Sequence, residues 1–349
     1  MKKIAILAAV IALCAPLTVM AQDPAPATAP AAAAPAPVAT APAATASAPA
    51  AKVVVLATVG DMKIMSDGIE KVIAANSGSD AIPPEMIGRL RQMLVERNIM
   101  MELTRAFLAT QKIEVAEADA KEQKDALAKA AARAQMTVEK FMAANDITED
   151  MITNEVKLRK LMSDSTTKEK IDAFIKANPN YFNGSAVKAS HILLQVSPTA
   201  STAELKAAKA KLEGIAADVK SGKIKFEEAA SQFSECPSKT KGGDLGEWTY
   251  GGSDDSQMDK LFSKAAFATK VGELTPVVHT QFGFHLIKVT GLTEGKDKPG
   301  DAAEKAAKEG IVAEIFANIL DLPLTTVTVT TMPAMTMPAA SAPATAASK

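Results

Sequence analysis

The sequence predicts an α+β chain: a small, mostly antiparallel sheet with surrounding helices, preceded by a mainly helical module. Three observations carry this. Residues 187–196 and 282–289 alternate with the period of two that a strand requires. Helical patterns fill most of the sequence between those runs, an order that sets helices around a sheet. Before them, apolar residues recur at near-helical spacing through much of 84–177.

Residues 1–21 open on Met1-Lys2-Lys3, run apolar from Ile4 to Leu13 and reach a cleavage point at Val19-Met20-Ala21. This is the pattern of a secretory signal peptide. Its apolar run is shorter than the ~20 residues a spanning helix needs, so no stable membrane insertion is expected and the chain should act in the periplasm or otherwise outside the cytoplasm. Leu13 before Cys14 argues against lipid attachment there. Residues 22–51, almost all Ala, Pro, Thr and Ser, form a linker with nothing to bury. Residues 331–349 repeat that character as a disordered tail.

Losing the leader removes Lys2 and Lys3, moving the formal charge from -1 to about -3, and leaves Cys236 as the one thiol. A single cysteine excludes an intrachain disulfide framework. Near-neutral charge without a basic block argues against nucleic acid as a partner.

Residues 52–178 read as the helical module. Residues 53–59, Gly60-Asp61 and residues 62–65 form a hairpin, after which Ser66 and Asp67 can cap a helix. Pro83-Pro84 opens a second helix, and further helices cover 117–134, 137–144, 148–162 and 168–177. Met86, Met93, Met100, Met101, Met136, Met142, Met151 and Met162 crowd this module. Methionine is flexible and polarizable, suited to filling helix interfaces and equally to surfaces that accept varied apolar partners.

Residues 186–293 read as the second domain. Alternation puts Val187, Ala189, His191 and Leu193 on one strand face. Ser201-x-x-Glu204 is a capping box for a helix ended by Gly222, and a second helix holds Phe226 and Phe233. Cys236 follows on the loop to Gly242-Gly243, glycines that permit a tight turn. The closing strand sets His285 on the face of Ile287 and Val289, while His279 marks a strand end. Residues 301–330 supply an amphipathic helix over 301–320, with Ala306, Ile311, Ile315 and Ile319 on its apolar side, and a short strand at 326–330 beside 53–57, returning to the helical module.

Two of three histidines thus sit in apolar strands with the thiol between them. Ala189-Ser190-His191-Ile192-Leu193, Phe-Ser-x-Cys-x-Ser at 233–238, Gly-Gly-Asp-Leu-Gly at 242–246, Met258-x-x-x-Phe262 and His-Thr-Gln-Phe-Gly-Phe-His at 279–285 together resemble a parvulin-type (PpiC, rotamase) peptidyl-prolyl isomerase. The wider architecture is similar to secreted foldases of the SurA and PrsA type. The resemblance implies rotation of Xaa-Pro bonds beside a polar cluster of His191, Cys236, Thr280 and His285, with the histidines in one hydrogen-bond network next to the cysteine. An apolar pocket of Leu245, Met258, Phe262 and Phe282 would take the proline ring. No cofactor or metal is called for, and the partners would be unfolded or partly folded exported polypeptides.

Two departures bear on specificity. The stretch 247–257 is long and acidic, and residues 195–199 lack the arginine or lysine that phosphate recognition needs, which argues against phosphorylated substrates. Two other classes remain open on the residues alone: a holdase gripping unfolded chains with the methionine-rich helices, and a thiol hydrolase using Cys236 and His285.

Overall fold

The computed structural model describes residues 53–76, 84–250 and 258–331. The expectations for the leader, for the linker, for the tail beyond Thr331 and for residues 251–257 lie outside the described residues. Among the described residues no helix is long and apolar enough to cross a membrane.

The chain opens on a hairpin of β1 (Val55–Val59) and β2 (Met62–Met65), turned at Gly60-Asp61 with Gly60 at φ 56°. Helices α1 (Ser66–Asn76), α2 (Pro84–Thr110), α3 (Glu117–Arg133), α4 (Val138–Asn145), α5 (Glu149–Ser165) and α6 (Lys168–Ala177) follow, with a single turn, α7, at Pro179–Phe182. Thr137 and Thr148 start α4 and α5 by accepting the amides of Lys140 and Met151, which fixes both boundaries locally. Ser66 behaves otherwise than expected. Its hydroxyl accepts the amide of Val54 at 2.9 Å, so it ties the first helix to the strand and does not cap the helix itself.

The second sheet has the order β4-β3-β6-β5, all antiparallel, from β3 (Ala186–Gln195), β4 (Asp244–Thr249), β5 (Val278–Thr280) and β6 (Gly283–Thr293). Helices α8 (Thr202–Lys220) and α9 (Phe226–Phe233) cover one face, burying Ile192, Leu194, Phe284 and Leu286. Ser201 and Glu204 close the capping box of α8 as its sequence dictates. Helix α10 (Lys260–Phe267) covers the other face, where Val187, Ala189, Ile287 and Val289 meet Trp248, Phe262 and Ala266.

Helix α11 (Asp301–Leu320), a turn α12 (Leu322–Thr325) and β7 (Val329–Thr331) complete the described residues. Strand β7 pairs antiparallel with β1, Val59 opposite Val329 and Ala57 opposite Thr331. The strand begins later and pairs further along β1 than its sequence suggested, because Leu322 first makes a helical turn whose carbonyl accepts the amides of Thr326 and Val327. Ile315 and Ile319 enter the core of Ala57, Val59, Ile99, Leu103 and Leu108. The N-terminal half of α11 does something the sequence did not announce. Ala303, Ala306 and Ala307 pack on an aromatic cluster of Tyr181, Phe182 and Tyr250, with Phe174 and Phe267 at its edge. Small residues let the rings approach. A Cβ on Gly310 would lie 2.4 Å from the Tyr250 hydroxyl.

Because Ile319 is completely buried in that core, Ile319→Ala should destabilise the protein by about 2 to 5 kcal/mol, as large-to-small core changes do, measured by chemical denaturation. A loss below ~1 kcal/mol would mean that α11 is not an integral part of this core.

Candidate functional site

The β3–β6 ladder sets the site. His191 lies opposite Ile287 and His285 opposite Leu193. The two histidines are therefore diagonal neighbours on one face, within reach for long side chains. Their rings stack at 5.5 Å between centroids and 24°, with Nδ1 to Nδ1 at 3.3 Å. Thr280, the last residue of β5, is diagonal to His285 in the next strand pair and sets its hydroxyl 2.9 Å from His285 Nε2. The Phe262 ring meets both imidazoles edge-on, at 5.5 and 5.2 Å. All three polar side chains are buried.

Burial pushes His191 down to about 4. Burial, then the neighbouring His191 and His279, push His285 down to about 3. Both rings are thus neutral at physiological pH, and counting donors settles which nitrogen carries each proton. Thr280 Oγ1 already accepts the Phe282 amide at 3.1 Å. If His285 Nε2 donated to it, the hydroxyl hydrogen of this fully buried threonine would lack an acceptor, a cost of ~1 to 3 kcal/mol. The threonine hydroxyl therefore donates to His285 Nε2. His285 keeps its proton on Nδ1 and donates it to His191 Nδ1. His191 must then carry its proton on Nε2, an atom that is buried and has no hydrogen-bond partner. The chain ends in one free N–H.

Cys236 stands outside this chain. It is partly buried on the loop after α9, with its own amide donating to Ser234 Oγ at 3.3 Å. Both nitrogens of His285 are taken by other partners and His191 Nε2 has none, so neither histidine is hydrogen-bonded to the thiol. The expected network thus unites His191, His285 and Thr280 without a Cys236 bond, and the thiol hydrolase reading loses its nucleophile–base pair. Leu245 and Met258, both half-buried, pack with Phe262 against the Trp248 and Val278 side of the sheet. Phe282 lies in the β5–β6 turn and is 55% exposed.

Several supporting residues escaped the sequence. Ser234 Oγ accepts the Leu193 amide at 3.1 Å and the Glu235 amide donates to the Leu193 carbonyl at 2.8 Å, pinning the cysteine loop to β3. Trp248 donates to Ser263 at 3.1 Å and backs Phe262. Gly243, at φ 84°, accepts the His191 amide at 2.9 Å, and a Cβ there would lie 2.4 Å from the His191 carbonyl oxygen. Only the glycine pair was legible as a tight turn. Its contact with the histidine was not.

The PPIC-type PPIASE domain of the rotamase family matches residues 191–291. The peptidyl-prolyl cis-trans isomerase Pin1 of Malus domestica is 37% identical over 121 residues, covering 31% of this chain and 96% of its own length. Foldase protein PrsA of Bacillus subtilis is 36% identical over 165 residues, 46% of this chain and 48% of its own. Chaperone SurA of Sodalis glossinidius is 43% identical over 120 residues, 34% of this chain and 26% of its own. The chain spans nearly all of the first relative and less than two thirds of the other two.

The proton arrangement is directly testable. Long-range 1H–15N spectra near pH 6 should show His285 as the Nδ1–H tautomer and His191 as the Nε2–H tautomer, both neutral, and imidazolium signals there would contradict it. The same depression has a stability consequence. Between the lowered folded values and the ordinary value of about 6.5 the unfolded chain binds more protons, so stability is full above about pH 6.5 and is lost as the pH falls toward about 3. His285→Phe should flatten the part of that slope lying below pH ~6.5.

Proposed function

The chain belongs to the PpiC-type rotamase family of peptidyl-prolyl cis-trans isomerases, and we propose that it turns Xaa-Pro bonds in exported polypeptides with Thr280, His285 and His191 as its polar chain. The planar prolyl amide resists rotation by roughly 18 to 20 kcal/mol because the nitrogen lone pair is delocalised into the carbonyl. A catalyst must hold the twisted amide better than the planar one. The observation that carries the reading is the unpartnered His191 Nε2, buried beside Phe262, which the donor count behind it makes an N–H. A neutral donor of this kind can bond the substrate without bringing a charge into the apolar site. Leu245, Met258 and Phe262 form an apolar surface for the ring, and exposed Phe282 would serve at most as a rim contact.

Substitutions test the assignment on a short Xaa-Pro peptide. His285→Ala should lower kcat/KM by roughly 100-fold, the scale of a lost acid–base or hydrogen-bonding group. Met258→Ala should act mainly on KM, by about 1 to 3 kcal/mol of lost apolar contact. Cys236→Asp should keep activity within about tenfold if the thiol acts through its field and not as a nucleophile. Complete loss in folded Cys236→Asp protein would favour covalent chemistry.

A second activity is supported by the helical part. Met86 and Met93 on α2 and Met62 on β2 are each more than 40% exposed, and the seven-residue spacing of the first two repeats one helix face. We infer a holdase surface for unfolded or partly folded exported chains, reached through the leader-directed route to the periplasm or another extracytoplasmic space. The alternative, a holdase with little isomerase activity, makes this surface the whole function. Met86→Lys with Met93→Lys should weaken suppression of client aggregation and leave peptide isomerisation unchanged. Equal suppression would place the client surface elsewhere.

A further inference from the structure

His279, the third histidine, stands apart from the polar chain, yet the structure gives it more than a strand end requires. It sits in the middle of β5, opposite Phe284, and its ring stacks on Phe284 at 4.4 Å and 21°. Its side chain is only 6% exposed. Nδ1 lies 2.9 Å from Asp321 Oδ1. A carboxylate oxygen only accepts, so Nδ1 carries the proton and donates it. Asp321 belongs to neither β5 nor the sheet. It is the residue between α11 and α12, and its backbone is held on both sides: its amide donates to the Ala317 carbonyl at 2.9 Å and its own carbonyl accepts the Leu324 amide at 3.0 Å.

Strand β5 packs Val278 against the Phe262 and Trp248 core, but its backbone pairing is short. It is an edge strand of three residues with three pairings to β6, and short edges fray readily. Yet its last residue, Thr280, must keep its hydroxyl 2.9 Å from His285 Nε2 for the tautomer chain to have a direction. Side chains alternate along a strand. Val278 and Thr280 therefore face the histidines, and His279 faces the opposite side, where Asp321 meets it. The neighbour of the hydroxyl is thus the residue clamped from behind.

We propose that Asp321 is a positioning residue for prolyl isomerisation: by holding His279 it fixes β5 and so the Thr280 hydroxyl that orients His285. The proposal rests on the reading of Thr280, His285 and His191 as the working chain. Helix α11 also fills the core between β1, β7 and α2 through Ile315 and Ile319, so the site is held partly by a segment outside residues 186–293.

The experiment uses the full chain, a short Xaa-Pro peptide and the imidazole 15N shifts of His285. Asp321→Ala should lower kcat/KM by roughly tenfold, within the ~100-fold that a misplacement of about 1 Å can cost. It should also move the His285 shifts toward a mixture of tautomers. Asp321→Asn, which keeps an acceptor oxygen, should restore most of both. His279→Phe, which keeps a ring on Phe284 but cannot bond Asp321, should match Asp321→Ala, and the double variant should be no worse than either. Unchanged kcat/KM and His285 shifts in folded Asp321→Ala, or additive losses in the double variant, would overturn the proposal. Thr280→Val in the same series separates the two readings. If it leaves activity intact, the polar chain itself is misassigned. If it is slow while Asp321→Ala is not, only the positioning role fails.

Discussion

The antiparallel register of β3 against β6 is the constraint on which the rest depends. It runs from Ala186 opposite Thr293 to Gln195 opposite Gly283 and joins the two ends of a long stretch of chain. A slip of one residue would turn His285 to the face now holding Phe284 and Leu286, and would bring those two toward α10. Burial on both faces makes that slip costly, since Phe284, Leu286 and Ile287 are all essentially inaccessible. Gly283 guards the end of the register. At φ 122° it lies so close to β3 that a Cβ would come within 2.2 Å of the Leu194 carbonyl oxygen. Apolar packing thus places the histidines, and their hydrogen bonds then choose the tautomers.

The C-terminal segment gives the sheet domain and the helical part a shared element. One helix, α11, supplies Ile315 and Ile319 to the core around β1 and Ala303, Ala306 and Ala307 to the aromatic cluster beneath Tyr250. Polar contacts follow the same seam, with Lys264 on Glu314 at 2.8 Å and the Val329 amide on the Thr202 hydroxyl at 2.8 Å. Half-exposed ion pairs such as Lys264–Glu314 contribute little on their own, of order 0 to 1 kcal/mol. Apolar burial carries the association, and the polar contacts fix its geometry. A helix committed to two cores makes separate unfolding of either part unfavourable, because each would strand the other's apolar residues in water.

What the sequence disclosed follows from what is local. Capping residues Thr137, Thr148 and Ser201 act over three positions, so helix starts were legible to within a residue. Strand alternation is also local: it put His191 on the face of Val187 and Ala189 and His285 on the face of Ile287 and Val289, and the β3–β6 register made these one face. Partnership across the chain was legible only coarsely, as in the return of the C-terminal strand to β1. Nothing near Asp321 points to His279, and nothing near Ala303 or Gly310 points to Tyr250. Cys236 was placed by its motif next to the histidine network, but a motif does not encode whether the thiol bonds to it, since hydrogen bonding depends on tenths of an ångström; here the thiol makes no such bond. Ser66 had a correct residue type for a cap, but the neighbouring strand amide of Val54 competed for its hydroxyl and won.

Neutrality of the histidine pair is itself a mechanistic argument. Planar amide resonance places negative charge on the carbonyl oxygen and positive charge on nitrogen, and twisting the bond withdraws both. The transition state is therefore less dipolar than either ground state. As the proposed proline surface, apolar Phe262 with Leu245 and Met258 would penalise the planar form more than the twisted one. A charged imidazolium beside the carbonyl would stabilise the planar form and oppose that gain. Burial that holds His191 at about 4 and His285 at about 3 keeps the charge away. On the proposed assignment, the hydroxyl of Thr280, entering the chain from its far end, leaves a single neutral N–H on His191 that would bond the substrate as its electron density shifts. Burying two neutral histidines in this way gives a site whose field would favour rotation.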